Sequence, residues 1–415
     1  MTVDCPQRLA WFSPLPPART GIAAYTAELQ PYLDREFTID CFDDRRAHDF
    51  VWMARRRPYD LVIYQLGNAP WHDYLWGYLA RYPGLVVLHD ARLHHARARQ
   101  LLAATRDEDY RREFRYDHPG VTPDAAEYAV AAMGGPIQYL WPMRRAVLRS
   151  ARRVAVHNAF VANELRHEEP ATAVDVIRMG VPPIAPSPAA RARVRARYRI
   201  GDAAIVFVAF GKMTAEKRIH PILDALRTLT RDGLDAHLLL VGEDGDRFAS
   251  EPRVHATGYV DDADVAAHLL AADVCVCLRW PTALETSASW LRCLAAARAT
   301  IVTDLAHTAA VPARVARRVD LLDEGASLVA AMRDLASHAS ARDALAQAGH
   351  AWWRAHHTME AMADDYRRSI ASAIATPAAA AAELAADLPA HFTEDYGGHA
   401  RAIAAAFGVA IDVLR

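Results

Sequence analysis

Two patterns of apolar and polar positions alternate along this 415-residue chain. One is the short, unbroken apolar run bounded by Gly, Pro or Asp, which reads as a strand buried on both faces. The other places apolar residues every three or four positions, which reads as an amphipathic helix. In the first half RLAWF, FTIDCF, DLVIYQL, LVVLHD, RRVAVHN and AVDVIRMGVP predict strands. A helix is predicted from Ile22 to Leu33, and Ala91 to Arg149 reads as mostly helical. In the second half IVFVAF, AHLLLVG, VHATGY, VCVCLRW, ATIVTD and VDLLD predict strands, with helices after the first and around 262–271, 287–297 and 325–336. Beyond Ala341 the pattern is helical to Arg415.

Strands alternating with helices predict an α/β chain of doubly wound parallel sheets. The prolines at 182, 183, 186 and 188 fit neither a helix interior nor a central strand, so Val181 to about Arg199 reads as a linker running into a short helix. Three regions follow: 1–185 as one Rossmann-like domain, 186–355 as a second, and 356–415 as a helical segment. Ligands of such sheets lie beyond the carboxyl ends of the strands.

Composition narrows this picture. The chain is 52% hydrophobic and 24% charged with a formal net charge of -2, which suits a globular protein and gives no sign of nucleic-acid binding. Cys5, Cys41, Cys275, Cys277 and Cys293 lack zinc-ligand spacing and read as structural thiols of a reducing compartment. The N-terminal stretch has no basic and apolar leader pattern, and no segment approaches a membrane span. A cytoplasmic protein is expected. The Arg-rich stretch Arg144–Arg153 reads first as a solvated helix face, with peripheral contact at the inner face of a membrane as the alternative.

The most informative chemistry lies at residues 207–229. A buried strand stops at Gly211, Lys212 and Lys217 follow, and then comes an amphipathic helix with Ile219, Ile222, Leu223, Leu226 and Leu229. A helix N-terminus offers free N–H groups and a positive dipole end, and lysines add charge, so this turn suits a phosphate. Gly21, before the first helix, permits close approach of backbone to a ligand or serves as an ordinary turn. His89 and Asp90 end a strand, where the ligand cleft of such a sheet opens, and can share charge with one another or serve as satisfied structural residues; His94 follows on a helical segment. Arg279 lies at another strand end. Glu285 precedes Thr286 and Ser287 at the start of a helix.

Taken in order, FSPLPPARTGIAAYTAEL, LHD, VHN, MGVPP, FGKMTAEKR, LLLVGE, TGYV and LRWPTALETSAS resemble the retaining family-4-like glycosyltransferases (glycosyl transferases group 1) of the GT-B fold. The likeness spans most of the chain. It implies two Rossmann-like domains facing a cleft, with the C-terminal helical segment returning to the first. It also implies a nucleotide diphosphate sugar as donor, held by Gly21, Gly211, Lys212, Lys217, Tyr259, Val260, Arg279, Glu285, Thr286 and Ser287. His89, Lys217 and Glu285 become the expected catalytic residues, and Asp90 and His94 the acceptor-side ones. Lys212 takes the place of the family's arginine and lacks its fork. The family's second glutamate is replaced near Arg292 and Cys293, and its Gly-x-Pro by Ala297-Arg298-Ala299.

The resemblance implies retention of anomeric configuration and no metal or other cofactor, with cations and helix ends stabilising the leaving diphosphate. The DDAD run from Asp261 reads as a helix start. The expected partners are the sugar nucleotide and a glycan, lipid or small-molecule acceptor. A catalytically degenerate nucleotide-sugar-binding subunit and a GT-B epimerase or phosphorylase are the alternatives.

Overall fold

Residues 6–392, apart from residue 136, are described by the computed structural model. Cys5 and the expected helical stretch 393–415 lie outside the described residues. The chain divides into two compact units. The first holds residues up to 177, the short segment 283–285 and the residues from 365 on; the second holds 178–282 and 286–364.

The first unit is built on β1 (Arg8–Phe12), β2 (Thr38–Phe42), β3 (Leu61–Leu66), β4 (Leu85–Leu88), β5 (Arg153–Val156) and β6 (Val174–Val176). They form one parallel sheet in the order β2-β1-β3-β4-β5-β6. Every residue of β1, β3 and β4 is buried, as unbroken apolar runs require when helices cover both faces. Phe12 anchors an aromatic cluster, with ring centroids 5.1 Å from Phe50, 5.2 Å from Tyr64 and 5.0 Å from Tyr78. Residues 365–392 complete this unit. Tyr366, on the helix Met359–Ala375, donates or accepts at 2.7 Å with Tyr25 Oη of the helix Gly21–Leu33.

The second unit is built on β7 (Ile205–Phe210), β8 (Ala236–Val241), β9 (Val254–Ala256), β10 (Val274–Cys277), β11 (Ala299–Thr303) and β12 (Arg317–Val319), in the order β12-β11-β10-β7-β8-β9. All its ladders are parallel. Alternation within β7 and β8 sends Phe207, Ala209, Leu238 and Leu240 to the face covered by the helix Ile219–Arg231, through Ile222, Leu226 and Leu229. Val206, Val208, Leu239 and Val241 go to the other face, under the helix Asp262–Ala271. Each such aliphatic side chain contributes about 1.5–3 kcal/mol by leaving water. The chain winds outward from β7 through β8 and β9, then restarts on its other side with β10. A switch point therefore opens between β7 and β10, beyond their carboxyl ends.

Two boundaries differ from those read in the sequence. The units divide at 177/178 and 364/365 rather than at 185/186 and 355/356. Residues 179–181 are tied to the 357 corner, with Val181 N donating to His357 O at 3.0 Å and His357 Nδ1 bonded to Met179 O at 2.8 Å. The last predicted strand, VDLLD, is instead a loop that starts where β12 ends. Leu322 is 96% exposed there, and its N–H bonds to Asp320 Oδ1 at 2.9 Å. Asp261, by contrast, caps the 262–271 helix, accepting from Asp264 N at 2.9 Å.

The helix Ala288–Ala295 ends in a Schellman motif: Ala297 N donates to Leu294 O at 3.0 Å and Arg298 N to Cys293 O at 3.1 Å. Ala297 holds φ +51° there, a left-handed conformation suited to glycine. Ala297→Gly is expected to raise stability by about 1 kcal/mol, by relieving the Cβ penalty of left-handed backbone. A rise of a few degrees in the thermal midpoint checks it; a fall would show that side-chain packing outweighs the backbone.

Candidate functional site

The switch point of the second sheet carries a pocket lined by Phe210 and Lys217 on one side and Cys277, Arg279, Ser287 and Ser289 on the other. Gly211 makes its floor possible. It turns at φ +105°, and a Cβ there would stand 3.0 Å from Lys217 Nζ. Gly242, at φ +133°, is as constrained, because its Cβ would lie 2.4 Å from Gly211 O. The two glycines let the ends of β7 and β8 close up while leaving room for the lysine.

Lys217 sits on the short 3-10 turn Ala215–Lys217, not on the helix that follows. Its Nζ donates to Phe210 O at 2.7 Å, so the side chain folds back across the turn with its charge at the pocket wall. Arg218, in the left-handed region at φ +57°, sends its guanidinium away to Glu324, with Nε 3.0 Å from Oε1 and Nη2 2.5 Å from Oε2. That ion pair braces the entry to the 219–231 helix. Lys212 is 60% exposed on the surface, with Nζ 3.6 Å from Asp244 and 3.7 Å from Glu243.

The far wall comes from β10 and the helix after it. Arg279 N donates to Thr303 Oγ1 at 3.0 Å, which fixes the chain as it leaves the sheet. Ser287 is the N-cap of the 288–295 helix, accepting from Trp290 N at 3.2 Å, and its hydroxyl lies 3.1 Å from Ser289 Oγ. Two hydroxyls and the positive end of a helix thus face the Lys217 wall, an arrangement that favours an anion. Tyr259, 52% exposed, and Val260 lie in the loop after β9. Ser289 and Cys277 were missed as pocket residues, although period-two alternation along VCVCLR already puts Cys277 and Arg279 on one face.

In the first unit His89 is buried at the end of β4, and both its ring nitrogens are engaged. Nε2 lies 2.8 Å from Gln65 Oε1 and Nδ1 lies 3.3 Å from His157 Nε2. His157 Nδ1 faces Ile177 O at 2.8 Å, so it carries the proton there and leaves Nε2 as an acceptor for His89 Nδ1–H. A neutral His89 then needs a donor at Nε2. Reversing the Gln65 amide, whose two ends have one shape, provides it and puts Oε1 where Nε2 stood, 3.1 Å from the Tyr366 hydroxyl, as an acceptor. Burial, then the nearby His157 and His72, hold the His89 pKa well below the ordinary histidine value. The His89 ring also meets the Tyr25 ring edge-on, with centroids 4.8 Å apart.

His94 is also buried, bonded to Trp141 O at 2.9 Å and Tyr110 Oη at 2.7 Å, and burial lowers its pKa to about 4. Asp90 is half-buried and accepts from Asn68 N at 2.7 Å. Gly21 opens its helix with Thr20 as cap, and a Cβ there would meet nothing within 4 Å. Glu285 belongs to the segment grouped with this unit, where Ala283 O accepts from Ala91 N at 2.8 Å and Leu284 O from Asn158 Nδ2 at 3.3 Å. Thr286 and Ser287 fall in the second unit.

Arg144, Arg145, Arg149 and Arg153 of the Arg-rich stretch 144–153 are committed to carboxylates. Arg144 binds Glu164 at 2.6 Å and also Glu168, Arg145 binds Glu169 at 2.8 Å, Arg149 binds Asp387 at 2.8 Å, and Arg153 binds Asp175 at 2.5 Å. No helix among the described residues is long and apolar enough to cross a membrane.

Residues 204–339, which contain the whole pocket, match the family model described as glycosyl transferases group 1. No curated protein matches the chain by sequence. Solved structures match its fold. A sucrose-phosphate synthase from Thermosynechococcus elongatus superposes with a TM-score of 0.64 at 16% identity, over 88% of this chain and 100% of that one. Anabaena Alr3699/HepE in complex with UDP-glucose gives 0.62 at 13% identity, over 88% and 99%. A glycosyltransferase from Rickettsia africae gives 0.61 at 12% identity, over 90% and 100%.

Proposed function

We propose that this chain, a glycosyltransferase whose residues 204–339 form a glycosyl transferases group 1 domain within a GT-B fold, moves a sugar from a nucleotide diphosphate sugar to a hydroxyl-bearing acceptor. The observation that carries the donor assignment is the pocket at the β7/β10 switch point, where Lys217, Arg279, Ser287 and Ser289 converge. Diphosphate is the leaving group, and Lys217 with the 288–295 helix end stabilises the charge that grows on it as the glycosidic bond breaks. Lys212 and Arg279 add longer-range charge, and Tyr259 and Val260 meet the base. Glu285 accepts from a sugar hydroxyl, with Thr286 beside it donating to phosphate.

With cations doing this work, the reaction proceeds without a metal and with retention of configuration, the acceptor attacking from the face the diphosphate leaves. Gly21 joins the donor contacts and Asp90 serves the acceptor side, with the acceptor a glycan, lipid-linked sugar or small metabolite. His89 and His94 act there by positioning their neighbours, since their own ring nitrogens are taken. Peripheral membrane attachment belongs to the same proposal where the acceptor is a lipid.

Cys293 favours a second reading. It stands where the family resemblance expects a ribose-binding glutamate and is fully buried, which suits a subunit that binds a sugar nucleotide without turning it over. A thermal-shift screen of nucleoside diphosphates and their sugars, with and without a chelator, tests both. A true donor at about 100 times its Kd adds about 2.7 kcal/mol, a shift of several degrees, and the chelator leaves it unchanged. Acceptor-dependent release of nucleoside diphosphate then separates transferase from binding subunit. Absence of any stabilisation across the bases would sink the donor assignment.

A further inference from the structure

Three thiols converge behind the anion pocket. Cys275 and Cys277 are two apart on β10 and share a face, and Cys293 comes against them from the 288–295 helix. Cys277 Sγ and Cys293 Sγ are 3.8 Å apart. Cys275 and Cys293 are buried, whereas Cys277 is half-buried and lines the pocket with Lys217, Arg279, Ser287 and Ser289. The hydrogen bond with Cys293 lowers the Cys277 thiol pKa and burial opposes it, with the charges of Lys217 and then Arg279 adding to the lowering. Its two thiol neighbours and burial push Cys293 upward. Cys277, the sulfur open to the pocket, is placed to meet an oxidant first, and buried Cys293 lies 3.8 Å away as a resolving thiol. Among the described residues no set of His, Cys, Asp and Glu is arranged to hold a metal ion.

We propose that Cys277 is a site of reversible thiol oxidation, closed by Cys293 into an intramolecular disulfide, and that this disulfide and a diphosphate in the pocket exclude one another. The second half rests on the donor assignment above. With hydrogen peroxide as oxidant, the Cys277 thiolate attacks one oxygen and the O–O bond breaks. The departing hydroxide takes a proton and leaves as water, giving a sulfenic acid at Cys277. The sulfur of Cys293 then attacks the Cys277 sulfur, the S–S bond forms, and the sulfenic hydroxyl leaves as a second water with the Cys293 proton. Two thiols lose two electrons and peroxide becomes two waters.

The sulfurs must close from 3.8 Å to about 2.05 Å. That draws the end of β10 toward the helix whose first turn carries Ser287 and Ser289, and narrows the pocket between them. A bound diphosphate opposes the change by covering Cys277 and by occupying the cations that favour its thiolate. Linkage then requires oxidation to weaken diphosphate binding by the same factor.

The test uses the reduced full chain, hydrogen peroxide and UDP. Peptide mapping is expected to show a Cys277–Cys293 cross-link that forms at least tenfold more slowly under saturating UDP. The oxidised protein should bind UDP at least tenfold more weakly by calorimetry, with recovery after dithiothreitol. In Cys293→Ser, a dimedone adduct should accumulate on Cys277. A Cys275–Cys293 cross-link, or a rate indifferent to bound UDP, would overturn the proposal. If reduced protein binds no nucleoside diphosphate, the donor assignment fails by itself, while the mapped cross-link still decides the thiol chemistry.

Discussion

Lys217→Ala is expected to slow transfer by about 10²–10³ in kcat, or about 2.7–4 kcal/mol, as for removal of one preorganised donor to a developing anion. Lys217 Nζ is fixed by Phe210 O and packed over Gly211, where any added Cβ would stand 3.0 Å from it. The ammonium is therefore held in place before any substrate arrives. Lysine to arginine should recover little, because the floor at Gly211 leaves no space for a planar fork. Lys212→Ala provides the contrast: at 60% exposure, with Asp244 3.6 Å away, its charge is screened and its loss should cost less than tenfold. Circular dichroism and the unliganded thermal midpoint separate folding from binding. Full turnover by Lys217→Ala at saturating donor would show that the leaving group is stabilised elsewhere.

Much of this site is local in sequence, and that part was legible. A continuous apolar run ending at Gly211 can only be a buried strand with a turn, and the 219–231 helix announces itself by its spacing. The switch point follows from strands alternating with helices. What stayed hidden depends on partners far along the chain. Nothing near His89 tells of Gln65 24 residues away, of His157 68 away, or of the Tyr366 hydroxyl bound to a tyrosine 341 residues earlier. Arg218 looks like a third phosphate cation until Glu324, 106 residues on, takes its guanidinium. VDLLD reads as a strand by composition, yet its apolar Leu322 faces water because β12 already completes the ladder with β11. Ala297 shows the reverse case. The backbone keeps the left-handed shape that the family pattern fills with glycine, although the glycine itself has gone.

Glu113→Gln should destabilise the first unit by about 3–5 kcal/mol, because it strands a buried guanidinium. Arg97 and Glu113 form a two-toothed pair at 2.6 Å on each arm, with both side chains buried, and His391 Nε2 adds a contact to Glu113 at 3.1 Å. The Arg97 guanidinium lies 4.2 Å from the Trp76 ring and 5.2 Å from that of Phe392, so the lost carboxylate leaves it among aromatic rings in a buried corner. Burial by itself would raise the Glu113 pKa; Arg97 and His391 overcome it and lower the value to about 2. A depressed carboxylate stabilises above its unfolded pKa and loses that contribution as pH falls toward the folded value. The wild-type denaturation midpoint should therefore fall steeply between pH about 4.5 and 2, a loss of about 3 kcal/mol from this group. The Glu113→Gln midpoint should start lower and change less over the same interval. Arg97→Met combined with Glu113→Leu removes both charges and should recover much of the stability, since apolar substitution of a whole buried pair is often neutral. A double variant as weak as Glu113→Gln alone would show that shape, rather than charge, makes this corner of the fold.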